Sequence, residues 1–114
     1  MEDKCIFCDI ASGKSPADII LDEENVSAFY DISPKTPIHI LIVPKKHIPS
    51  VAELTVQDKN IIGEMVLAAK KIAEQKNLSE DGYRLVINTG KNSGQEVDHI
   101  HLHLLGGEEL GPMA

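Results

Sequence analysis

The run His99-Ile100-His101-Leu102-His103-Leu104-Leu105 decides how the rest of the chain is interpreted. Successive side chains of a strand point to opposite faces, so the three histidines share one face and the aliphatic residues share the other. Burying three histidines in a core would cost free energy, because each ring carries polar nitrogens that need hydrogen-bond partners. The run therefore predicts a strand with one packed face and one functional face.

Two functional interpretations of the histidines stay open. Neighbouring imidazoles on a strand can bind one zinc ion, but His99 and His103 would have Cα atoms about 13 Å apart, whereas each ligand atom lies ~2 Å from zinc. Alternatively, His101 attacks phosphorus. A free imidazole has a pKa of ~6.5 and is mostly neutral at pH 7, so a histidine can act as a nucleophile without a separate base. Its neighbours would then set its tautomer and handle the proton of the leaving group.

A polar loop lies directly before the histidine run and supports the phosphorus interpretation. It reads Asn88-Thr89-Gly90-Lys91-Asn92-Ser93-Gly94-Gln95. Glycine lets backbone N–H groups approach an anion closely, so this loop is a candidate for binding a phosphate.

The hydrophobic periodicity of the rest of the chain predicts an α+β fold with a mostly antiparallel sheet of about five strands. A short helical turn is predicted over Cys5–Ser12. A long helix begins where Thr55 precedes Asp58 by three residues, and apolar residues then recur at helical spacing from Ile61 to Ala73. Strands are predicted over Ile19–Leu21, Val26–Tyr30, Ile38–Val43, Tyr83–Asn88 and His99–Leu105.

Size and charge exclude several classes of protein. A chain of 114 residues predicts one domain, 1–114. A net charge of −7 with only two Phe, two Tyr and no Trp argues against a nucleic-acid partner. No apolar stretch approaches the ~20 residues of a membrane span, and Met1-Glu2-Asp3-Lys4 is no signal peptide. We therefore expect a cytoplasmic protein with no membrane partner.

The ordered motifs resemble the histidine-triad (HIT) superfamily along nearly the whole chain. The histidine run matches the signature His-φ-His-φ-His-φ-φ, where φ is apolar. The other matching segments are Cys5-Ile6-Phe7-Cys8, Phe29-Tyr30-Asp31-Ile32-Ser33-Pro34, Thr36-Pro37-Ile38-His39, Pro44-Lys45-Lys46-His47, Tyr83-Arg84-Leu85-Val86-Ile87-Asn88, Gly94-Gln95 and Gly106-Gly107. Within the superfamily the chain is most similar to the Hint branch, whose members are purine-nucleoside phosphoramidases and form homodimers with a shared sheet.

The resemblance implies hydrolysis of the P–N bond in purine nucleoside 5′-phosphoramidates of the AMP-amine or AMP-lysine type. His101 would be the nucleophile and form a covalent nucleotidyl-histidine, which water resolves. His39 and His99 would belong to the hydrogen-bond network that orients it. His103 would lie near the phosphate and the leaving amine. No cofactor would be needed for this chemistry.

The resemblance also assigns the residues that bind the substrate. Asn88, with backbone groups around Gly94, Gln95 and Glu96, would hold the phosphate, and Asp31 would accept the ribose hydroxyls. The purine slot would be lined by Ile6, Phe7, Ile10, Phe29, Ile32 and Leu41. Without the resemblance, the apolar residues would be interpreted as plain core and Asp31 as a turn residue.

The pair Cys5 and Cys8 has the spacing of a metal site or a redox pair rather than of a structural disulfide. Some bacterial HIT proteins with this opening bind structural zinc, and the resemblance implies the ligands Cys5, Cys8, His47 and His99. Four such ligands complete a tetrahedral sphere, which is typical of structural zinc. The alternative is two reduced cysteines beside a surface histidine.

Three positions depart from the family pattern. Glu96 stands where eukaryotic Hint members carry a serine, and a carboxylate beside phosphate is unfavourable, so we expect only its backbone N–H to contribute. Asp98 replaces an aromatic or apolar residue, and we expect it to affect packing or the rim. The tail Gly111-Pro112-Met113-Ala114 lacks the tryptophan-containing ending of eukaryotic members. That ending influences substrate choice in the eukaryotic branch, so the resemblance does not fix the leaving-group preference of this chain.

Two alternative functions remain. The chain could hydrolyse dinucleoside polyphosphates or transfer a nucleotidyl group from them, as other HIT branches do. It could also be a non-catalytic purine-nucleotide-binding zinc module, which would bind nucleotide without turnover. The complete set of histidines favours an enzyme, because binding alone has little use for a nucleophile.

Overall fold

The computed structural model describes residues 5–113, and its helices and strands follow the predicted order. The elements are α1 (Ile6–Ala11), β1 (Ile19–Asp22), β2 (Val26–Tyr30), β3 (Ile38–Pro44), α2 (Lys59–Gln75), β4 (Arg84–Val86) and β5 (Leu102–Gly106). None of the helices between these limits has the length and hydropathy that a membrane span requires. The interpretation of Met1-Glu2-Asp3-Lys4, and the tail's last residue Ala114, lie outside the described residues.

The five strands form one antiparallel sheet in the order β1-β2-β3-β5-β4. The central pair is β3 with β5, where Leu41 lies opposite His103 and Ile40 lies opposite Leu104. The predicted α+β class, with one long and one short helix, is confirmed. The continuation of the sheet across a homodimer stays a prediction.

The sheet has two differently covered faces. Helix α2 packs on one of them, with Met65, Ala68, Ala69, Ile72 and Ala73 against aliphatic residues of β2, β3 and β5, which confirms the predicted periodicity. The other face carries a smaller apolar cluster, to which α1 contributes Phe7 and Ile10, β2 contributes Phe29, and β3 contributes Leu41 and Val43. The histidines belong to this second face.

The predicted N-cap is present, one short turn earlier than α2 itself. Thr55 and Asp58 form a capping box around the 3₁₀ turn Val56–Asp58 that leads into the helix. The Asp58 carboxylate also accepts a hydrogen bond from Lys46 Nζ at 2.7 Å. This ion pair ties the start of α2 to the segment after β3, where His47 lies.

We expect Asp58→Asn to destabilise the protein in a pH-dependent manner. The Lys46 ammonium, followed by the Thr55 backbone N–H, holds the pKa of the Asp58 carboxyl below its usual value. A lowered carboxyl pKa stabilises the fold above the unfolded pKa of ~3.9, and the stabilisation disappears as the pH falls through the folded value. The difference in thermal unfolding temperature between wild type and variant should therefore be largest near pH 7 and should shrink as the pH falls below ~3.9. Glu53→Gln, on the neighbouring exposed turn, is the control. A difference that does not change with pH would contradict this origin.

The histidine strand is shorter than predicted, because β5 starts at Leu102 rather than at His99. The register pairs Ile42 with Leu102, which would place Ile100 opposite Pro44. Proline has no N–H to donate, so the ladder ends there. Ile100 instead donates its N–H to the Ile48 carbonyl at 2.7 Å. His99, which lies in a bend, and His101 therefore precede the sheet rather than belonging to it. Similarly, the strand predicted over Tyr83–Asn88 is regular only at β4.

Candidate active site

A cleft of about 710 Å³ opens on the α1 face of the sheet. Most of the predicted site residues line it, and they come from α1, from β2 and β3 with the segment between them, and from the last third of the chain: Ile6, Phe7, Ile10, Phe29, Asp31, Ile32, His39, Leu41, Asn88, Gly94, Glu96, His101 and His103. Of the predicted catalytic and substrate-binding residues, Gln95 and His99 do not line the cleft. A space of this size and lining is typical of a small-molecule site.

His101 is held in one tautomer by the backbone. Its Nδ1 lies 2.7 Å from the carbonyl oxygen of His99. A carbonyl only accepts, so Nδ1 carries the proton and Nε2 carries the lone pair. The ring is only 5% exposed, yet it lines the cleft. This is the state that a histidine nucleophile requires.

His39 and His103 form a hydrogen-bond chain whose direction is also set by the backbone. The Lys35 N–H donates to His39 Nδ1 at 3.0 Å, so the proton of neutral His39 is on Nε2. That nitrogen lies 2.9 Å from His103 Nδ1 and 3.4 Å from Asp31 Oδ2. His103 Nδ1 therefore accepts, and the proton of neutral His103 is on Nε2.

The Nε2 atom of His103 is the one buried side-chain nitrogen or oxygen in residues 5–113 that lacks a hydrogen-bond partner. Burial, followed by the neighbouring His101 and His39, lowers the pKa of His103 to about 4, so the ring is neutral at pH 7. Its ring centroid lies 4.9 Å from that of His101. An unsatisfied buried N–H is costly, and beside the nucleophile it is a ready donor for a bound ligand.

The loop before β5 is braced by Gln95 from within. The side chain donates from Nε2 to the Pro49 carbonyl at 2.8 Å and to the Val97 carbonyl at 2.9 Å. Its Oε1 accepts from the Gly90 N–H at 2.8 Å. The backbone N–H of Gln95 also donates to the Gly90 carbonyl. Gln95 therefore shapes the loop, and the expected contact of its backbone N–H with phosphate is not available in this conformation.

Two hydrogen-bond donors at the two ends of the same loop are available to bind an anion. Gly94, in the left-handed region at φ 85°, turns the chain, and its N–H donates to the Lys91 carbonyl at 3.1 Å. In contrast, the Glu96 N–H and the Asn88 side-chain amide have no hydrogen-bond partner within residues 5–113. Both residues line the cleft. They are the strongest candidates for phosphate contacts.

Asp31 makes a turn interaction and also lines the cleft. Its Oδ1 accepts the Ser33 N–H at 2.8 Å, which is a turn interaction, and its Oδ2 faces His39. A carboxylate can accept further hydrogen bonds at both oxygens. Asp31 is therefore a turn residue that can also accept ligand hydroxyls in the cleft.

The apolar wall combines buried and exposed residues. Phe7 contacts Phe29 edge-to-face, with centroids 5.5 Å apart, and also contacts the His101 ring at 5.1 Å. The interpretation as plain core fits these rings and Leu41, which are buried. It does not fit Ile32, which is 97% exposed at the edge of the cleft. An exposed isoleucine there is suited to cover a ligand.

The residues Cys5, Cys8, His47 and His99 come together at the start of α1, with ligand atoms within 4.8 Å of one another. His99 Nδ1 lies 3.3 Å from Cys5 Sγ and 3.1 Å from His47 Nδ1. His99 Nε2 donates to the Pro44 carbonyl at 2.8 Å, so Nδ1 keeps its lone pair toward the cluster. The tautomer and the donor set both fit a metal ion.

A second group, Asp31, His39 and His103, is equally close but does not fit a metal. A metal on His39 Nε2 would require the proton to move to Nδ1. That nitrogen already accepts the Lys35 N–H, and two N–H groups cannot face each other there. This group is therefore a hydrogen-bond chain.

Several cleft residues were not predicted: Pro16, Ala17, Tyr30, Ser33, Lys35, Val86, Val97 and Leu105. Strand alternation from Asn88 was a usable signal for Val86, which lies two residues earlier on the same face. Lys35 contributes through its backbone N–H, for which the sequence carries no signal.

The chain is similar to known proteins over nearly its full length. A model of the HIT domain matches residues 12–110. The purine nucleoside phosphoramidase of Escherichia coli (strain K12) is 49% identical over 113 residues, covering 99% of this chain and 95% of the relative. A HIT family hydrolase from Legionella pneumophila Philadelphia 1 superposes with a TM-score of 0.93 at 46% identity, covering 95% of this chain and 96% of the other. A Zn-bound histidine triad family protein from Mycobacterium smegmatis superposes with a TM-score of 0.79 at 34% identity, covering 91% of this chain and 75% of the other.

Proposed function

The chain belongs to the HIT domain family, and from that premise we propose that it hydrolyses the P–N bond of purine nucleoside 5′-phosphoramidates. The products are the nucleoside monophosphate and a free amine. The observation that carries the proposal is His101, which lines the cleft of about 710 Å³ and keeps the lone pair on its Nε2. The name of the Escherichia coli relative supports the purine substrate class.

His101 is the proposed nucleophile. Its Nε2 forms a bond to phosphorus while the P–N bond breaks, and the electron pair goes to the amine nitrogen, which gains a proton from water. The His99 carbonyl stabilises the positive charge that develops on the ring through the Nδ1–H. A water molecule then attacks phosphorus, the histidine leaves, and the water's proton is released to solvent.

His103 acts in this proposal as a neutral donor. Its unpartnered Nε2–H hydrogen-bonds to a phosphoryl oxygen or to the leaving nitrogen. His39 fixes this direction, because its Nε2–H occupies His103 Nδ1. Donors fixed before the reaction are worth more than mobile ones, since no reorganisation is needed as charge develops.

Three parts of the cleft bind the nucleotide. The Asn88 amide and the Glu96 N–H hold the phosphate, and Asp31 accepts the ribose hydroxyls. The purine packs on the apolar wall formed by Ile6, Phe7, Ile10, Phe29, Ile32 and Leu41.

Release of free amine from an adenosine 5′-phosphoramidate with a fluorogenic amine tests the function. We expect turnover, with one AMP formed for each amine. A dinucleoside polyphosphate serves as the matched substrate without a P–N bond. Faster cleavage of that substrate would favour the other HIT branches, and AMP binding without any turnover would favour the non-catalytic module.

We expect Asn88→Ala to lower kcat/KM about tenfold, since a hydrogen bond to a charged group contributes about 1.5–3 kcal/mol, part of which water replaces. Steady-state kinetics on the same phosphoramidate measure the loss. Asn92→Ala, in the exposed part of the same loop, is the matched control. If both variants match wild type, the Asn88 amide does not bind the phosphate.

A structural zinc ion held by Cys5, Cys8, His47 and His99 is the second part of the proposal. Bound zinc would contribute folding free energy. The Zn-bound histidine triad relative supports the choice of metal.

Zinc binding should release protons at pH 7. Burial, followed by the hydrogen bond and charge of Cys5, raises the pKa of the Cys8 thiol to about 11, so Cys8 is protonated without metal. A thiol must lose its proton to bind zinc. Calorimetry in two buffers of different ionisation enthalpy should show this release. Cys8→Ser should release about one proton fewer, and an equal release would place Cys8 outside the site.

The remaining proposals concern domain organisation and partners. The family match over residues 12–110 supports a single domain, 1–114. Strand β4 is an edge strand: it pairs with β5 on one side and has no neighbouring strand among residues 5–113 on the other, and its Leu85 is exposed. This supports homodimerisation through a continued sheet. Cytoplasmic localisation, without nucleic-acid or membrane partners, is proposed from the acidic charge and the sequence pattern.

A further inference from the structure

One short helix belongs to two sites. Cys5 caps α1 and Cys8 lies inside it, with the Cys8 N–H 3.4 Å from Cys5 Sγ. From the same helix, Ile6, Phe7 and Ile10 form part of the apolar wall of the cleft. The position of the wall therefore depends on the position of the two thiols.

A second connection passes through His99. Its ring faces the thiols, whereas its carbonyl fixes the tautomer of His101 at 2.7 Å. The Phe7 ring contacts both of these histidines edge-on, with centroids 6.0 Å from His99 and 5.1 Å from His101. A movement of His99 would therefore reach the nucleophile and the wall together.

Apart from the cluster, helix α1 is a short element with two buried side chains. It has six residues, and helices this short are not stable by themselves. Phe7 and Ile10 are buried, but Ile6 is 48% exposed. The two histidines of the cluster come from distant segments, so an ion bound by all four residues would join α1 to the segments after β3 and before β5.

We propose that this cluster is a positioning device for the nucleotide, so that metal binding to it strengthens nucleotide binding in the cleft. His47 is then a positioning residue, exposed and outside the cleft, that acts through α1 and His99. The inference rests on the proposed function, because it takes the cleft to be the nucleotide site. Thermodynamic linkage requires the reverse effect, in which nucleotide strengthens metal binding by the same factor.

The test compares AMP binding by the full chain loaded with ZnCl₂ and by the same protein after removal of metal with a chelator. Calorimetry should show a dissociation constant for AMP about tenfold higher without zinc, within the usual range of coupling between sites. The affinity for zinc, measured with and without saturating AMP, should change by the same factor. Circular dichroism establishes that both forms are folded.

His47→Ala provides the second measurement and keeps three of the four ligands. We expect its AMP affinity to be low with or without zinc, whereas Val51→Ala, in the same connecting segment, should behave as wild type. If the stripped wild type unfolds, the comparison moves to these two variants with zinc present. Equal AMP affinity of loaded and stripped protein, or of His47→Ala and wild type, overturns the inference alone. Failure of every form to bind AMP overturns the proposed function as well.

Discussion

Replacing His101 by alanine is expected to lower the turnover of an adenosine phosphoramidate by about 10³–10⁴-fold, because the attacking atom is lost and water must react directly. Affinity for AMP should stay within about threefold of wild type, since the phosphate and ribose contacts come from other residues. The split between turnover and binding identifies a residue that acts in the chemical step.

The covalent nucleotidyl-histidine intermediate provides an independent measurement for the His101→Ala variant. The mass spectrum of wild type quenched at neutral pH during turnover should contain protein carrying one nucleotidyl group, and that species should be absent from His101→Ala. Asn92→Ala should form it normally. An alanine variant that keeps more than about a tenth of the turnover would assign the nucleophile to another group.

Acidification is expected to destabilise the fold between about pH 6.5 and pH 4. The pKa of His103 is lowered to about 4 by burial and by the neighbouring histidines. Burial also lowers the pKa of His39, against the opposing charge of Asp31. The unfolded chain, with histidine pKa values of ~6.5, therefore binds more protons in this range. The stabilisation is complete above pH 6.5 and is lost as the pH falls to about 4.

The contribution of His103 should be about 2 kcal/mol, after allowance for its partial exposure to solvent. Urea unfolding between pH 7 and pH 4 measures it as a fall in the free energy of unfolding. His103→Gln removes the titrating ring, so its stability should depend less steeply on pH than that of wild type. Equal slopes for the two proteins would show that His103 is not the group responsible.

The helices and strands could be predicted because they depend on side-chain periodicity, whereas most cleft residues were assigned by the resemblance to the HIT family. Alternation placed His39 and Leu41 on one face of β3 and the three histidines of the run on one face of another strand. Helical spacing identified the buried side of α2. The resemblance to the HIT family supplied residues that periodicity does not connect, such as His47 with Cys5. Their proximity is a result of tertiary structure.

Interactions of the backbone were not predictable. The early end of β5 follows from Pro44 in the neighbouring strand, which requires the register to be known. The role of Gln95 as a brace depends on carbonyl groups of two other segments. The tautomer of His101 depends on a carbonyl whose direction the residue type does not encode.

The Lys35 N–H that orients the histidine chain has a consequence for mutagenesis. Every amino acid except proline supplies the same donor, so alanine or even aspartate at position 35 would keep it. A survey of this protein by alanine substitution would rate the position as dispensable. Only Lys35→Pro would reveal its importance, and in a scan of all nineteen substitutions at this position proline should be the one that is not tolerated.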